Sequence, residues 1–273
     1  MHARIALGGR ELRIDLSRPV DLAVPLEFGG PQVRHFGAPP ATATPLEVGD
    51  FTGAVSAGGS CNCEVLTLVP HCNGTHTECV GHLTRERVAA ARVAPLGLVP
   101  ALLVSVSPEA AADAREGSAP PPQPSDRLVT RHALEQAWPR APFEARALVL
   151  RTLPNPPAKR TRDYSGTTPP YLSREAAEFL VERGILHLVT DLPSLDREHD
   201  EGLLTAHRVF FGLPPGARTL AAASRPDATV TELAYVPDAA ADGAWLLELQ
   251  LPALGGDAVP SRPLLYELHG GAP

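Results

Sequence analysis

Positive charge is in short supply in this 273-residue chain. Its 24 Lys and Arg residues face 31 Asp and Glu, a formal net charge of -7. A nucleic-acid surface must neutralise phosphates with a basic face, so that class of function is set aside. Long apolar runs are also missing. The longest uncharged stretch, Val93 to Pro108, contains prolines and falls short of the roughly 20 residues that span a bilayer. At the N-terminus Arg4, Arg10, Glu11 and Arg13 interrupt the apolar residues before a signal-like core can form. A cytoplasmic protein with no membrane partner is therefore expected. No internal repeat is evident. Cysteine is sparse too: there are four, all between Cys61 and Cys79. Cytoplasmic thiols are usually reduced, so this spacing suggests metal or burial before disulfides. Cys61 and Cys63, two apart, would share one face of a strand and could be small buried apolar residues.

What is present suits a soluble globular α/β protein. The 44% apolar content and the length allow a sizeable core in one large domain or two smaller ones. Two proline-rich stretches, 107 to 127 and 153 to 171, cannot hold regular ladders and read as long loops, of the kind that form lids or interface arms. Between and after them the pattern alternates. Leu148 to Arg151 reads as a buried strand. Ser173 caps a helix with Glu175 in its first turn, an apolar face of Ala176, Ala177, Leu180 and Val181, and Gly184 past its end. Ile185 to Thr190 then reads as a strand, which makes a βαβ unit and a partly parallel sheet.

Two later segments place polar groups among apolar ones. EGLLTAHRVFFG (201 to 212) puts His207 on a helical stripe with Leu203, Leu204, Phe210 and Phe211, where a histidine is more often a core residue than a ligand. TVTELAYV (229 to 236) alternates as a strand with Glu232 in register with Val230, Ala234 and Val236. A lone carboxylate aimed into a core costs several kcal/mol unless paired or metal-bound. The alternative is that the inner face carries Leu233 and Tyr235.

The segment HCNGTHTECVGH (71 to 82) holds three histidines, two thiols and a carboxylate. Gly74 permits a sharp turn and the Thr75 hydroxyl can fix it. His76 and Glu78, two apart in an extended segment, converge on one side, with His82 a short step on. Imidazole and carboxylate together suit zinc or manganese. A metal with an open position lowers the pKa of bound water towards about 7, and a neighbouring histidine can shuttle the proton. On spacing alone, a catalytic metal, a structural metal held by thiols and a loop without metal all remain open.

The same segment resembles the His-x-Gly-Thr-His-x-Asp-x-Pro-x-His motif of the metal-dependent cyclase and kynurenine formamidase (arylformamidase-like) family. The likeness extends along nearly the whole chain, so 1 to 273 is expected to be one domain. IDLSRPV (14 to 20) resembles the family's opening element, and DFTGAVSAGG precedes the motif as such segments do. ALVLRT (147 to 152) resembles its central strand, residues 169 to 198 resemble its Pro-x-Leu-Ser helix and following Asp-x-x-Ser-x-Asp, and TVTELAYV resembles the strand with a metal-binding glutamate. The resemblance implies a barrel-like mixed β-sheet with helices packed outside, assembled as homodimers or homotetramers. It also implies hydrolysis of a C–N bond in a small amide, formamide or cyclic amide by metal-activated water, with one or two zinc or manganese ions. By position, His76 resembles a histidine ligand, Glu78 stands for the aspartate ligand and His82 resembles the catalytic acid or base. His207 and Glu232 resemble the distant pair that completes a second metal position or orients the substrate.

Three departures stand out. Cys72 occupies the place of the first histidine, so either the loop bulges to present His71 or Cys72 coordinates as thiolate; His71 keeps the donor chemistry closer. Glu78 adds about 1.5 Å of reach, which favours one ion over a pair, and Val80 replaces the motif proline. Asp191, Ser194 and Asp196 are expected to shape the strand exit. Two rival readings are a non-catalytic small-molecule-binding protein on the same scaffold and a zinc knuckle of Cys61, Cys63, Cys72 and Cys79.

Overall fold

The computed structural model describes residues 1–270. Its main sheet has nine strands: β1 (Val20–Asp21), β2 (His76–Cys79), β3 (Val99–Val106), β4 (Ala147–Thr152), β5 (His187–Thr190), β6 (Thr229–Glu232), β7 (Gly243–Gln250), β8 (Ala258–Pro260) and β9 (Arg262–Glu267). They lie in the order β8-β2-β6-β5-β4-β3-β7-β9-β1. The central strands β3, β4, β5 and β6 run parallel, and the flanking pairs are antiparallel. The sheet curls into a half-barrel, the mixed barrel-like fold expected from the resemblance.

Four short helices accompany it: α1 (Ala90–Val93), α2 (Arg131–Ala137), α3 (Arg174–Glu182) and α4 (Thr205–Phe210). Side chains alternate across a strand, so each parallel strand feeds two cores. Leu102, Val104, Leu148, Leu150, Leu188 and Val230 pack on one face with Leu134 of α2 and Phe179 and Leu180 of α3. Ala101, Leu103, Val149, Val189 and Leu247 fill the other with Leu22 and Leu265. Burial on both sides explains the near-continuous apolar run ALVL. No helix among the described residues is long and apolar enough to cross a membrane.

The expected β4-α3-β5 unit is present. Ser173 caps α3 by accepting from the Ala176 amide at 2.9 Å, and Gly184 lies just beyond the helix at φ +73°. The stretch 107 to 127 is anchored rather than lid-like. Glu116 accepts from the Arg131 and His132 amides at the start of α2 and from the Ser173 hydroxyl, joining two helix N-termini where negative charge is favoured. TVTELAYV is a shorter strand than its alternation suggests, because Leu233 adopts φ +54° immediately after Glu232. Likewise α4 begins only at Thr205. Leu203 is exposed and leaves the expected apolar stripe, whereas Leu204, at φ +47° just before the helix, still packs against the core that holds Phe210 and Phe211.

Replacing Ser173 by Ala removes the cap and one of the three donors to Glu116, and should lower the unfolding free energy by about 1–2 kcal/mol, read from urea midpoints. A second prediction concerns His187, buried in β5 with Nδ1 3.0 Å from the Thr229 hydroxyl. Burial, aided by Arg146 and Arg225, pushes its pKa down to about 4. A depressed histidine binds fewer protons folded than unfolded, so its contribution is complete above about pH 6.5 and is lost as pH falls through about 4. His187→Gln should therefore flatten the stability loss across that window relative to the parent protein; identical acid limbs would contradict this account.

Candidate metal centre

The site is built on β2 and β6. In this antiparallel pair His76 lies opposite Glu232 and Glu78 opposite Val230, so His76, Glu78 and Glu232 share one face, the one covered by α4. The Asn73-Gly74-Thr75 turn delivers β2 to that position. Gly74 takes φ +74°, which only glycine adopts freely. The Thr75 hydroxyl does not brace its own turn as expected. It donates to the Leu233 carbonyl at 2.7 Å and accepts from the Val24 amide at 2.8 Å, tying the turn to the end of β6 and to the N-terminal segment.

All six predicted site residues come together. Glu78 (1% exposed) and Glu232 (4%) are buried carboxylates. Glu78 Oε1 lies 3.0 Å from His207 Nε2, and Oε2 lies 2.9 Å from His71 Nδ1. Glu232 Oε1 lies 3.3 Å from His207 Nε2, and Oε2 lies 3.5 Å from His76 Nε2. The Leu195 amide donates to Glu232 Oε1 at 2.8 Å. Burial by itself would push both carboxyls up. The surrounding imidazoles overcome it, holding Glu78 well below the usual range (His82, His207, His71) and Glu232 lower than normal (His207, His76).

The histidines share one pattern. His207 Nδ1 is 2.7 Å from Asp196 Oδ2, His71 Nε2 is 2.8 Å from Asp257 Oδ2, and His76 Nδ1 is 3.1 Å from the Gly74 carbonyl. Each ring is thus fixed at one nitrogen by an oxygen acceptor, and its other nitrogen is turned towards Glu78 or Glu232. That arrangement selects the tautomer and presents a lone pair. The approaches at the centre are close but misaligned for hydrogen bonding: His76 Nε2, Glu78 Oε1 and His207 Nε2 are buried without a hydrogen-bond partner. Buried polar atoms are seldom left so. Donor atoms of His71, His76 and Glu78 lie within 4.8 Å of one another, as do those of Glu78, His207 and Glu232. Three oriented imidazoles and two buried carboxylates fit a divalent cation of the zinc or manganese kind. His207 is raised well above its usual range despite burial, by Glu78, Asp196 and Glu232; His71 likewise rises to about 10 through Asp257 and Glu78.

His82 sits apart. Its side chain is 28% exposed, with Nε2 3.9 Å from Glu78 Oε2 and Nδ1 3.7 Å from Asp257 Oδ2. Its ring centroid is 4.2 Å from that of His71.

The ambiguity at the first motif position resolves geometrically: the His71 ring reaches the cluster, whereas Cys72 belongs to no donor group among the described residues. The thiol-knuckle reading fails with it. Cys61 and Cys63 are exposed on an outlying hairpin, contrary to the buried-strand expectation, while Cys72 and Cys79 are buried and free. Asp191 does shape the strand exit, accepting from the Thr152 amide and from Lys159 Nζ at 2.7 Å. Asp196 does more than that. Besides orienting His207 it accepts from the Ala206 and His207 amides, fixing the start of α4. Asp257 was not foreseen at all; it precedes β8 in an irregular loop whose sequence, GGDAVP, carries no metal-site signal.

The family model described as "Putative cyclase" matches residues 14–197. The chain belongs to the cyclase family. His207, Glu232 and Asp257 lie beyond the matched span, so the tertiary structure is what joins them to the motif. Solved structures with the same fold include a predicted metal-dependent hydrolase from Bacillus stearothermophilus (16% identity, 91% of this chain and 98% of that one, TM-score 0.57). Isatin hydrolase A from Ralstonia solanacearum is also similar (17% identity, 91% of each chain, TM-score 0.60). A further isatin hydrolase, bound to the product analogue thioisatinate, shares 15% identity over 92% of each chain (TM-score 0.56). Identities this low establish the fold. No curated protein is significantly similar to the chain.

If Asp196 and Asp257 orient ligand histidines, Asp196→Asn and Asp257→Asn should each weaken metal affinity about 10- to 100-fold, measured by competition with a chromophoric chelator. Affinities equal to the parent protein's would remove both from this role.

Proposed function

We infer that the protein is a metal-dependent hydrolase that cleaves a C–N bond in a small amide, formamide or cyclic amide. The observation that carries this reading is the centre itself: three histidines pinned at one nitrogen, their free nitrogens facing two buried carboxylates, with a fourth histidine, His82, at its edge. Membership of the cyclase family supports it, as does a fold shared with proteins described as isatin hydrolases and a predicted metal-dependent hydrolase.

His71, His76, Glu78, His207 and Glu232 would hold the cation. A bound divalent ion supplies Lewis acidity towards a carbonyl oxygen and makes water a better nucleophile near neutral pH. The chain's own groups do the rest. Asp196, Asp257 and the Gly74 carbonyl keep the imidazoles in the donor tautomer. Glu78, which faces His71 through Oε2 and His207 through Oε1, would hold the cation from either side. His82, partly exposed beside His71 and Asp257, would take a proton from attacking water and return it to the leaving nitrogen as the C–N bond breaks.

The test pairs activity with metal content. His82→Ala should lower turnover about 10²- to 10⁴-fold while elemental analysis shows the metal retained; loss of metal as well would make His82 a ligand. His76→Ala should lose both. The substrate panel should include isatin, N-formyl aromatic amines and simple lactams. Metal-replete protein that binds members of such a panel but hydrolyses none would replace the hydrolase reading with the non-catalytic one.

A further inference from the structure

His35 is fully buried, yet neither ring nitrogen has a hydrogen-bond partner. An imidazole stripped of water and left unpaired on both sides costs stability, so its retention calls for a reason. Its surroundings are built with care. Residues 33 to 35 lie along the metal-motif turn: the His35 amide donates to the Cys72 carbonyl at 3.1 Å and the Gly74 amide to the Val33 carbonyl at 3.3 Å. On the other side the Tyr164 amide donates to the Arg34 carbonyl at 2.8 Å, and the Gly37 amide to the Ser165 hydroxyl at 2.9 Å. The Gly166 amide then donates to Glu198 Oε1 at 3.2 Å. The second oxygen of Glu198 is buried and, like the His35 ring, has no partner. Phe36 adopts φ +56°, an uncommon conformation for a bulky residue, and its ring centroid stands 4.0 Å from that of His35.

Two orphaned polar groups therefore occur on adjoining segments beside the metal motif. We propose that His35 and Glu198 form a recognition subsite for a second amide edge of the substrate, one that lies away from the scissile bond. This rests on the hydrolase reading and narrows it. The substrate class it points to is a cyclic ureide or imide, whose ring carries a second carbonyl beside an N–H. Burial keeps His35 neutral by lowering its pKa, although Glu198, Glu232 and Asp163 act in the opposite sense. A neutral imidazole has one N–H to donate and one nitrogen to accept. The carboxylate of Glu198 can only accept. Together they match a carbonyl and an adjacent N–H, while the metal end engages the first carbonyl.

The experiment uses metal-loaded protein and two probes, hydantoin, which has the second edge, and 2-pyrrolidinone, which lacks it. Calorimetry should show hydantoin binding that is at least tenfold weaker in His35→Leu and in Glu198→Ala, with 2-pyrrolidinone binding unaltered. His35→Gln, which retains a donor and an acceptor, should recover part of the difference. His35→Leu should also match or exceed the parent protein's Tm, because it removes unpaired buried polar atoms; a merely structural histidine would give a lower Tm. Hydantoin affinity unchanged in His35→Leu, equal losses for both probes, no hydantoin binding to the parent protein, or a crystal structure of the soaked protein with only a water between the two residues would each overturn the subsite. Binding that discriminates as expected with no hydrolysis of either probe would support the subsite and count against the hydrolase reading alone.

Discussion

Two carboxylates, Glu78 and Glu232, are buried within a few ångströms of each other on neighbouring strands, and the rest of the site follows from that constraint. Like charges within 4.8 Å repel by on the order of 3 kcal/mol at an effective dielectric near 20, and burial adds a desolvation cost to each. Positive charge must compensate. His71, His76 and His207 surround the pair, and the carboxylates in turn raise the pKa of His71 and His207. The remaining carboxylates, Asp196 and Asp257, decide which ring nitrogen His207 and His71 turn inward.

The scaffold's contribution is placement. A parallel sheet covered on both faces gives rigid strand ends, and β6 stops at Glu232 because Leu233 turns into the left-handed region. Thr75 then grips the Leu233 carbonyl from the motif turn, so the two strands that carry the donors are clamped where they terminate. Asp196 couples a second pair of elements. It holds the first residues of α4 through their amides and the side chain of His207 through its ring, so the helix is seated and its ligand aimed by one group. The loop of residues 107 to 127 belongs to this rigid frame too, since Glu116 fastens it to the starts of α2 and α3.

What could be read from the sequence was local. The capping serine, the terminal glycine and the apolar spacing fix α3 over neighbouring residues, and the uninterrupted apolar run of β4 reports burial on both faces. The density of donors in HCNGTHTECVGH marks a candidate metal loop, while spacing alone does not choose among catalytic, structural and metal-free readings. Segment ends were less legible. The breaks at Leu204 and Leu233 are backbone choices of ordinary residues made under tertiary restraint, and no propensity marks them. The exposed Cys61 and Cys63 show the same limit: spacing says which residues share a face, not whether anything covers it.

Residue type and short-range spacing determined by themselves that this chain has an α/β core and a histidine-rich candidate metal loop. Only the folded structure decided which donors meet. His71 prevails over Cys72 because of the direction in which the turn presents its side chains. Asp257, 186 positions further on, reaches His71 through the pairing of β8 with β2. The reason is geometric: a coordination shell is a set of distances across the sheet, and sequence encodes such distances only through the packing of everything between.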